Sequence, residues 1–216
     1  MNKKLLQPVL WILPAIFLLV MCTPAPKTIE LFNGKDLTGW VPYTDPLDSA
    51  NNEEVYFIQN GLLRVSGVPV GYIRTEQAYE DYVFHAEWRW VGESSNSGLF
   101  QRIQEPDKKF PHSIEVQLFA GNAGDFVMLG GSSIANLPPE EAAKNFPVQK
   151  KMNPSNEKPV GEWNTAEITC KGDSIIVYIN GTLQNKAGGA PRSGYIGLQS
   201  EGGPIEFRNL TLTPLK

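Results

Sequence analysis

Three polar side chains in the middle of the chain have types and a spacing suited to chemistry: Arg102, Glu115 and Gln117. Glu115 and Gln117 alternate with the apolar residues of IEVQLF, so in a β-strand they project together away from the core. In its own strand-like segment, Arg102 is predicted to lie on the face opposite Leu99 and Ile103. A carboxylate on such a face can act as a base or an oxygen ligand, and a guanidinium can hold it ionised. The alternative is a fixed ion pair between neighbouring strands.

Three other residues are weaker candidates. Asp125 follows the turn GNAG at the mouth of a predicted strand, where it is either a catalytic acid or an ordinary turn residue. His112 stands three residues before Glu115, at the rim of a site or in a plain loop. Glu87 belongs to the polar row of YVFHAEWRW, which either binds a ligand or is a solvated face. The resulting assignment is Glu115, Arg102 and Asp125 to catalysis, and Gln117, His112 and Glu87 to substrate binding.

Cofactor chemistry is constrained by composition. The chain has only two histidines, which nearly excludes a metal site built mainly of imidazoles. A divalent cation held by oxygen ligands is not excluded, although no metal ligand is assigned. No other cofactor is indicated.

The elements that must position these residues are strands. From Tyr82 to Trp90 apolar residues alternate with polar ones, which predicts an antiparallel strand with one buried face. The dipeptides Asn60-Gly61 and Asn180-Gly181 join pairs of strand-like segments and predict two-residue hairpin turns. Further strands are predicted at 28–32, 71–74, 98–103, 113–119, 126–129, 163–171, 195–199 and 205–212.

Only one segment has the features of a helix. Residues 138–145 (PPEEAAKN) begin with proline and carry acidic residues in the first turn. The rest of 130–161 is predicted to be a long loop, which in a compact domain is usually functional or mobile. Short strands separated by scattered glycines and prolines predict an all-β sandwich of two antiparallel sheets with one short helix.

The amino terminus indicates the compartment. Lys3 and Lys4 precede an apolar run at 8–21 that is too short for the roughly 20 residues of a membrane-crossing helix and is typical of an export signal. LVMC, ending at Cys22, resembles a bacterial lipoprotein cleavage box, although Met21 replaces the usual small residue. We therefore expect a signal peptide at 1–21, a lipidated Cys22 and a stiff tether at 22–27 before a domain at 28–216. The alternative is an ordinary signal peptide with an incidental cysteine.

Charge and cysteine content exclude several classes. Without residues 1–21 the chain keeps 17 basic and 23 acidic residues, a net charge of −6. Such a chain without basic clusters is a poor candidate for binding nucleic acid or an anionic membrane surface, so contact with a membrane is expected through the lipid alone. With Cys22 lipidated, Cys170 has no partner, and its place in TAEITCKG predicts a buried thiol.

Several segments together resemble one bacterial family, the 3-keto-disaccharide hydrolase domains. The segments are LFNGKDLTGW at 31–40, NSGLFQR at 96–102, IEVQLF at 114–119, KPVGEWNTAEI at 158–168, YINGT at 178–182, GYIGLQSEG at 194–202 and EFRNLTL at 206–212. The resemblance implies a concanavalin A-like jelly roll in which Arg102 and Glu115 lie on neighbouring strands of the sugar-binding face. Trp40 and Trp163 lie in these motifs and are expected in the core.

The resemblance also implies an activity. Oxidation at C3 of a glycoside acidifies the C2 hydrogen, so a base near C2, a group that stabilises the enolate oxygen and an acid for the leaving group cleave the bond by elimination, after which water can add. Hydrolysis instead needs two carboxyls beside the anomeric carbon. Many members carry a His and an Asp where this chain has Val177 and Phe119, and these departures count against a metal-assisted mechanism.

Three functions follow as hypotheses. The first is an envelope lipoprotein that cleaves 3-keto-glycosides or related modified sugars, periplasmic or surface-exposed. The second is a non-catalytic carbohydrate-binding lipoprotein on the same scaffold. The third is an interaction protein with no role in sugar binding. A second carboxyl close to Glu115 would favour hydrolysis, and fold alone does not choose between these functions.

Overall fold

The structure is a computed structural model, and it describes residues 26–45 and 51–215. Two antiparallel sheets pack face to face, so the predicted all-β sandwich is confirmed. The predicted signal peptide and Cys22 lie outside the described residues. Within those residues, no helix reaches the length and apolarity that crossing a bilayer requires.

The described residues form fifteen strands and two one-turn helices, numbered in chain order. The strands are β1 Ile29–Glu30, β2 Trp40–Thr44, β3 Tyr56–Gln59, β4 Leu62–Val65, β5 Gly71–Thr75, β6 Tyr82–Trp90, β7 Gly98–Gln104, β8 His112–Gln117, β9 Phe126–Leu129, β10 Val148–Gln149, β11 Asn164–Lys171, β12 Ser174–Ile179, β13 Thr182–Ala187, β14 Tyr195–Ser200 and β15 Ile205–Pro214. The helices are α1 Asn52–Val55 and α2 Pro139–Ala142.

The sheets differ in what they carry. The eight-stranded sheet has the order β13-β12-β11-β6-β15-β4-β3, with β1 pairing β15 beside this path. The seven-stranded sheet has the order β10-β9-β8-β7-β14-β5-β2. The inward faces of both sheets supply one apolar core that includes Phe84 and Trp88 from β6, Val116 from β8 and Leu198 from β14. Polar residues of β8 and β14 therefore stand on the outer face of the seven-stranded sheet.

The alternation and turn predictions are confirmed. In β6 all five residues of the apolar set are buried and the residues between them are partly exposed. At the hairpin turns, φ is 55° at Asn60 and 76° at Gly61, and 47° at Asn180 and 78° at Gly181. Two successive positive φ values are those of a type I′ turn, whose twist matches that of the paired strands.

Strands β2 and β10, both helices and Trp163 differ from the sequence prediction, which did not include β10 or α1. Strand β2 was not expected, because Pro42 interrupts its segment; it is tolerated since β2 is an edge strand that pairs only with β5. The helix expected at 138–145 is limited to α2. Trp163 is not a core residue: it is partly exposed and its ring lies under the guanidinium groups of Arg89 and Arg208, at 4.6 and 4.0 Å from the ring centroid.

Candidate functional site

Glu115 lies in the centre of the seven-stranded sheet, on its outer face. Its neighbours Ile114 and Val116 enter the core, so the period of two turns the carboxyl outward, where it pairs across the strands with Phe100 and Val127. Although it points away from the core, Glu115 is only 2% exposed. The carboxyl faces a pocket of about 230 Å³. The outward direction predicted for Glu115 from the alternation is confirmed.

The floor beneath this carboxyl is a glycine. Gly98 on β7 pairs with Gln117, and a Cβ built on Gly98 would lie 2.1 Å from Oε1 of Glu115. The carboxyl of Glu115 therefore bends over the β7 backbone in space that any side chain at position 98 would fill. Leu99 pairs with Leu198 on β14, so continuing the register places Gln199 on the far side of Gly98.

Gln117 lies in the same pocket, as its alternation with Glu115 predicted. With its nitrogen turned towards acceptors, its amide donates to the Ser97 carbonyl, to Oδ1 of Asn96 and to Oε1 of Glu115, each at 3.0 Å. Asn96 lines the pocket too and keeps its own amide nitrogen as a donor. Amides thus surround the Glu115 carboxyl on one side and offer hydrogen bonds to a polar ligand.

A second carboxyl, Glu201, lines the pocket. Glu201 bridges to Asn96 just beyond β14, and its Oε2 accepts a hydrogen bond of 2.7 Å from the side-chain nitrogen of Gln199. Glu201 was not among the site residues predicted from the sequence. The signal was present in GYIGLQSEG, where Gln199 and Glu201 alternate with the apolar Leu198 as Glu115 and Gln117 alternate with Val116.

The two carboxyls have different electrostatic environments. Complete burial, followed by repulsion from Glu201, raises the pKa of Glu115 well above its usual value. Glu201 is about half buried; burial raises its pKa, and the hydrogen bond from Gln199 partly opposes the rise. Burial therefore favours the protonated form of Glu115 more strongly than that of Glu201, so Glu201 is the first of the two to ionise. Such a pair can supply a proton at one point of a ligand and remove one at another.

Apolar residues form the remainder of the pocket lining. Val127 and Leu129 come from β9, Val148 from β10, and Phe110 and Phe146 from two loops. The two phenyl rings meet edge to face, with centroids 5.0 Å apart. Phe146 and Val148 belong to the 130–161 segment, so part of this segment lines the pocket.

The loop that carries Phe110 is fixed to the sheet by an ion pair. Arg74 on β5 donates from Nε to Oδ1 and from Nη2 to Oδ2 of Asp107, at 2.8 and 2.9 Å, and the hydroxyl of Tyr72 donates to the same carboxylate at 2.7 Å. These bonds lower the pKa of Asp107, the contact with Arg74 contributing most. The guanidinium of Arg74 also lies 4.1 Å from the ring centroid of Tyr195. The wall formed by Phe110 is thus held independently of the carboxyls.

The predicted pairing of Arg102 with Glu115 is wrong. The register of β7 against β8 shifts between Gln101 and Gln104, and Arg102 has a φ of 57°, so the period of two ends there. Its guanidinium is completely buried and donates to the carbonyls of Gly172, Pro191 and Glu80. Arg102 therefore holds loops together at the end of the sandwich and is not a catalytic residue.

Asp125 is also not at the site. One carboxylate oxygen accepts from Nζ of Lys150 at 2.9 Å and the other from the backbone nitrogen of Lys151 at 2.8 Å. Asp125 is buried and does not line the pocket of Glu115. The residue anchors the segment after β10, because a buried carboxylate needs such partners.

His112 and Glu87 are likewise misassigned to substrate binding. His112 begins β8, where a ring nitrogen lies 3.3 Å from the Gly130 carbonyl, and it does not line the pocket. Glu87 lies on the outer face of the other sheet, bonded to Arg208 at 2.7 Å and to Asn209 at 2.8 Å. The polar row of β6 that contains Glu87 is therefore a solvated face, one of the two alternatives predicted for it from the sequence.

The positions at which this chain departs from many relatives lie apart from the pocket. Val177 is fully buried in the apolar core on β12, and Phe119 lies beyond the end of β8 and is largely exposed. The absence of a histidine at 177 therefore removes no group from this pocket. Among the residues that the structure describes, there is no group of three or more His, Cys, Asp or Glu side chains that could hold a metal ion.

Known proteins share both the sequence pattern and the fold. The sequence profile of a family described as 3-keto-alpha-glucoside-1,2-lyase-like domains matches residues 27–213. A Bacteroides thetaiotaomicron protein named 3-keto-disaccharide hydrolase is 24% identical, with 87% of this chain and 78% of the relative covered. A solved structure from Parabacteroides distasonis, classed provisionally as a glycosyl hydrolase, superposes with a TM-score of 0.65 at 21% identity, covering 88% of this chain and 94% of that one. A Bacillus licheniformis β-glucanase superposes with a TM-score of 0.58 at 15% identity, covering 90% and 100%. The two structural likenesses confirm the jelly-roll fold.

Proposed function

The chain belongs to the family of 3-keto-alpha-glucoside-1,2-lyase-like domains, and from this premise we propose that it cleaves the glycosidic bond of 3-keto-glycosides. The family match supports the substrate class. The observation that supports bond cleavage is the pair of carboxyls, Glu115 and Glu201, which line one pocket with unequal burial and can serve as acid and base. The name of the Bacteroides thetaiotaomicron relative, 3-keto-disaccharide hydrolase, agrees with the same substrate class.

The first step removes a proton. Glu201, the carboxyl that ionises first, takes the hydrogen from C2, and the electrons of that C–H bond form an enolate with the C3 carbonyl. The amide nitrogen of Asn96 is a donor in the same pocket, where it stabilises the developing negative charge on the enolate oxygen. The base is assigned to Glu201 and the acid to Glu115, because the deeper burial of Glu115 favours its protonated form.

The second step expels the leaving group. The enolate electrons return to the C3 carbonyl, a C1–C2 double bond forms, and the C1–O bond breaks. Glu115 gives its proton to the departing oxygen, so the leaving group departs as a neutral alcohol. Water then adds across C1 and C2, with the hydroxyl on C1 and a proton returned to C2. The sum of the steps is hydrolysis.

Direct hydrolysis is a second candidate, and the same two carboxyls favour it. A glycosidase uses one carboxyl as acid and another as base or nucleophile at the anomeric carbon, without oxidation at C3. The two reactions differ at C2: elimination breaks the C2–H bond, whereas direct hydrolysis leaves that bond intact.

The experiment compares methyl 3-keto-α-glucopyranoside, its β anomer and the two unoxidised parent glucosides in D₂O, followed by NMR. We expect release of methanol from a 3-keto sugar, with deuterium incorporated at C2 and slower reaction of substrate deuterated at C2. Glu115→Gln and Glu201→Gln should each lower kcat about 100-fold or more while the sugar still binds. Asp125→Asn, which alters a buried carboxyl outside the pocket, is the matched control and should keep its kcat.

Three results would contradict the proposal. Cleavage of the unoxidised glucosides without deuterium at C2 would establish direct hydrolysis. Binding of sugars without turnover, unaffected by Glu115→Gln, would establish a carbohydrate-binding protein on the same scaffold. No interaction with any of the sugars would leave only a role unrelated to sugar binding.

A further inference from the structure

The pocket of Glu115 and Glu201 has an unusual balance of charge. Besides these two carboxyls its polar lining consists of the amides of Asn96, Gln117 and Gln199. None of the described residues that line it is basic. Arg74 stands on the same sheet face, but its guanidinium is held by the two oxygens of Asp107, which neutralises its charge at the pocket. The described lining of the pocket therefore offers no cation to pair with an anionic ligand.

A negatively charged sugar would be disfavoured in such a place. Its carboxylate or phosphate would lose water and meet Glu201, a carboxyl that must be ionised to act as base. Like charges brought together in a partly desolvated site repel strongly, and a charge left without a counter-ion disfavours the ligand. A neutral sugar instead finds amide donors and acceptors that match its hydroxyls.

The apolar side of the pocket also selects. Phe146 is 45% exposed even though it lines the pocket and contacts Phe110, so apolar ring surface remains uncovered there. A pyranose presents a face of C–H bonds that such a surface can cover, while its hydroxyls remain at the ring edge.

The size of the pocket limits how much of a sugar it takes. Its volume of about 230 Å³ is below the roughly 300–1,000 Å³ of pockets that enclose drug-sized ligands. One pyranose ring fits this space, and a second ring would remain outside it.

We propose that the pocket takes a single uncharged 3-keto-pyranose unit, with its C–H face against Phe110 and Phe146 and its leaving group outside, and that it rejects uronic acids and sugars carrying sulfate or phosphate. This substrate class rests on the proposed function. The charge selection depends on Glu201 and the lack of a cation, and the stacking depends on Phe146, so the two parts can be tested separately.

The first test compares methyl 3-keto-glucopyranoside with the corresponding 3-keto-glucuronide, which differs only by a carboxylate at C6. We expect kcat/KM for the glucuronide to be at least 100-fold lower. Glu201→Gln abolishes the base but also the repulsion, so binding of the glucuronide, measured by calorimetry, should improve about tenfold in that variant. Equal kcat/KM values for the two sugars in the wild type would overturn the charge selection.

The second test replaces the exposed ring. Phe146→Ala should raise KM for the neutral 3-keto sugar about tenfold with kcat changed less than threefold, and Phe146→Tyr should restore KM. Met152→Ala is the matched control, because Met152 is 54% exposed on the same segment and does not line the pocket. A KM within twofold of wild type in Phe146→Ala would overturn the stacking.

Failure of the proposed chemistry has a different outcome. The wild type could turn over no 3-keto sugar, yet bind the neutral one in a Phe146-dependent way and exclude the glucuronide. That result would support the proposed ligand class and contradict the proposed catalysis. If the wild type binds neither sugar at 10 mM, the ligand class is wrong as well.

Discussion

The carboxyl of Glu115 lies directly on the backbone of Gly98: a methyl group at position 98 would come within 2.1 Å of Oε1 and 2.7 Å of the carboxyl carbon. Gly98 is the last residue of NSG, and the close approach gives that glycine a physical reason. The backbone conformation of Gly98 does not require glycine, since its φ is not positive. Glycine is required because the Glu115 carboxyl occupies the space that a side chain at position 98 would need.

Gly98→Ala should therefore displace the Glu115 carboxyl from its place between the two strands. We expect the rate of cleavage of a 3-keto-glucoside to fall at least 100-fold, because a displacement of about 1 Å at a reacting group has an effect of that size. Turnover and the thermal midpoint are measured together. Gly188→Ala is the matched control, since a Cβ there meets nothing closer than 4.0 Å, and it should retain activity. Full activity in Gly98→Ala would show that the position of Glu115 does not matter.

Local patterns in the sequence were sufficient for the strands that alternate regularly. β6 and β9 have the predicted bounds, and Glu115 and Gln117 face one pocket, because in a strand alternate side chains point to the same side. The hairpin turns were predicted from their Asn-Gly pairs, because these residues tolerate the positive φ values of a type I′ turn. Each of these features depends on residues close together in the chain.

The errors came from features that no short segment carries. Arg102 was placed on the outer face by a period that the bulge after Gln101 interrupts, and its positive φ is one that its residue type does not indicate. Glu201 reaches Glu115 only because β14 pairs with β7, a contact between residues far apart in the sequence. Asp125 was ambiguous until its partner Lys150 was known.

The raised pKa of Glu115 predicts a dependence of stability on pH. A carboxyl whose pKa is higher in the folded state leaves stability intact below its unfolded pKa of about 4.3 and reduces it progressively as the pH rises towards the folded value. Glu115→Gln should thus unfold at the same urea midpoint as wild type near pH 4 and at a higher midpoint at pH 7 and 8. A variant that is less stable than wild type at pH 8 would show that Glu115 is ionised in the folded protein.

Cys170 should not react in the native protein. Cys170 is fully buried on β11, so a reagent in solution cannot reach its sulfur. Burial also raises the pKa of Cys170 to about 11, which keeps the thiol out of the reactive thiolate form. We expect labelling by a maleimide only at the rate of unfolding, with labelling in urea as the positive control. Prompt modification of the folded protein would mean that β11 opens locally.

Cys22 should carry a lipid that anchors the exported chain to an envelope membrane. Cys22→Ser, expressed with its own amino terminus in a bacterial host, should either leave the membrane fraction or retain the uncleaved signal, because the thiol is the acceptor of the lipid. Fractionation and intact mass distinguish the forms, and Cys170→Ser is the control that should stay anchored. A Cys22→Ser protein that remains anchored at the mature, lipidated mass would contradict lipidation there.

We predict that Arg102 stabilises the fold and takes no part in catalysis. Its guanidinium donates to three carbonyls from three loops and lies 3.8 Å from Asp81, so Arg102→Met leaves several buried acceptors without partners. Breaking such a buried charge typically costs about 3 kcal/mol or more, which in a domain of this size lowers the thermal midpoint by about 6–12 °C. The thermal midpoint of Arg102→Lys should lie between those of wild type and Arg102→Met, since an ammonium group cannot reach all three carbonyls in the same geometry.

Lys144→Met, which removes an exposed ion pair with Glu141, is the control and should shift the midpoint by less than about 2 °C. At a temperature where both variants are folded, kcat for a 3-keto-glucoside should match wild type. A large loss of kcat in a stable Arg102 variant would return this residue to the active site.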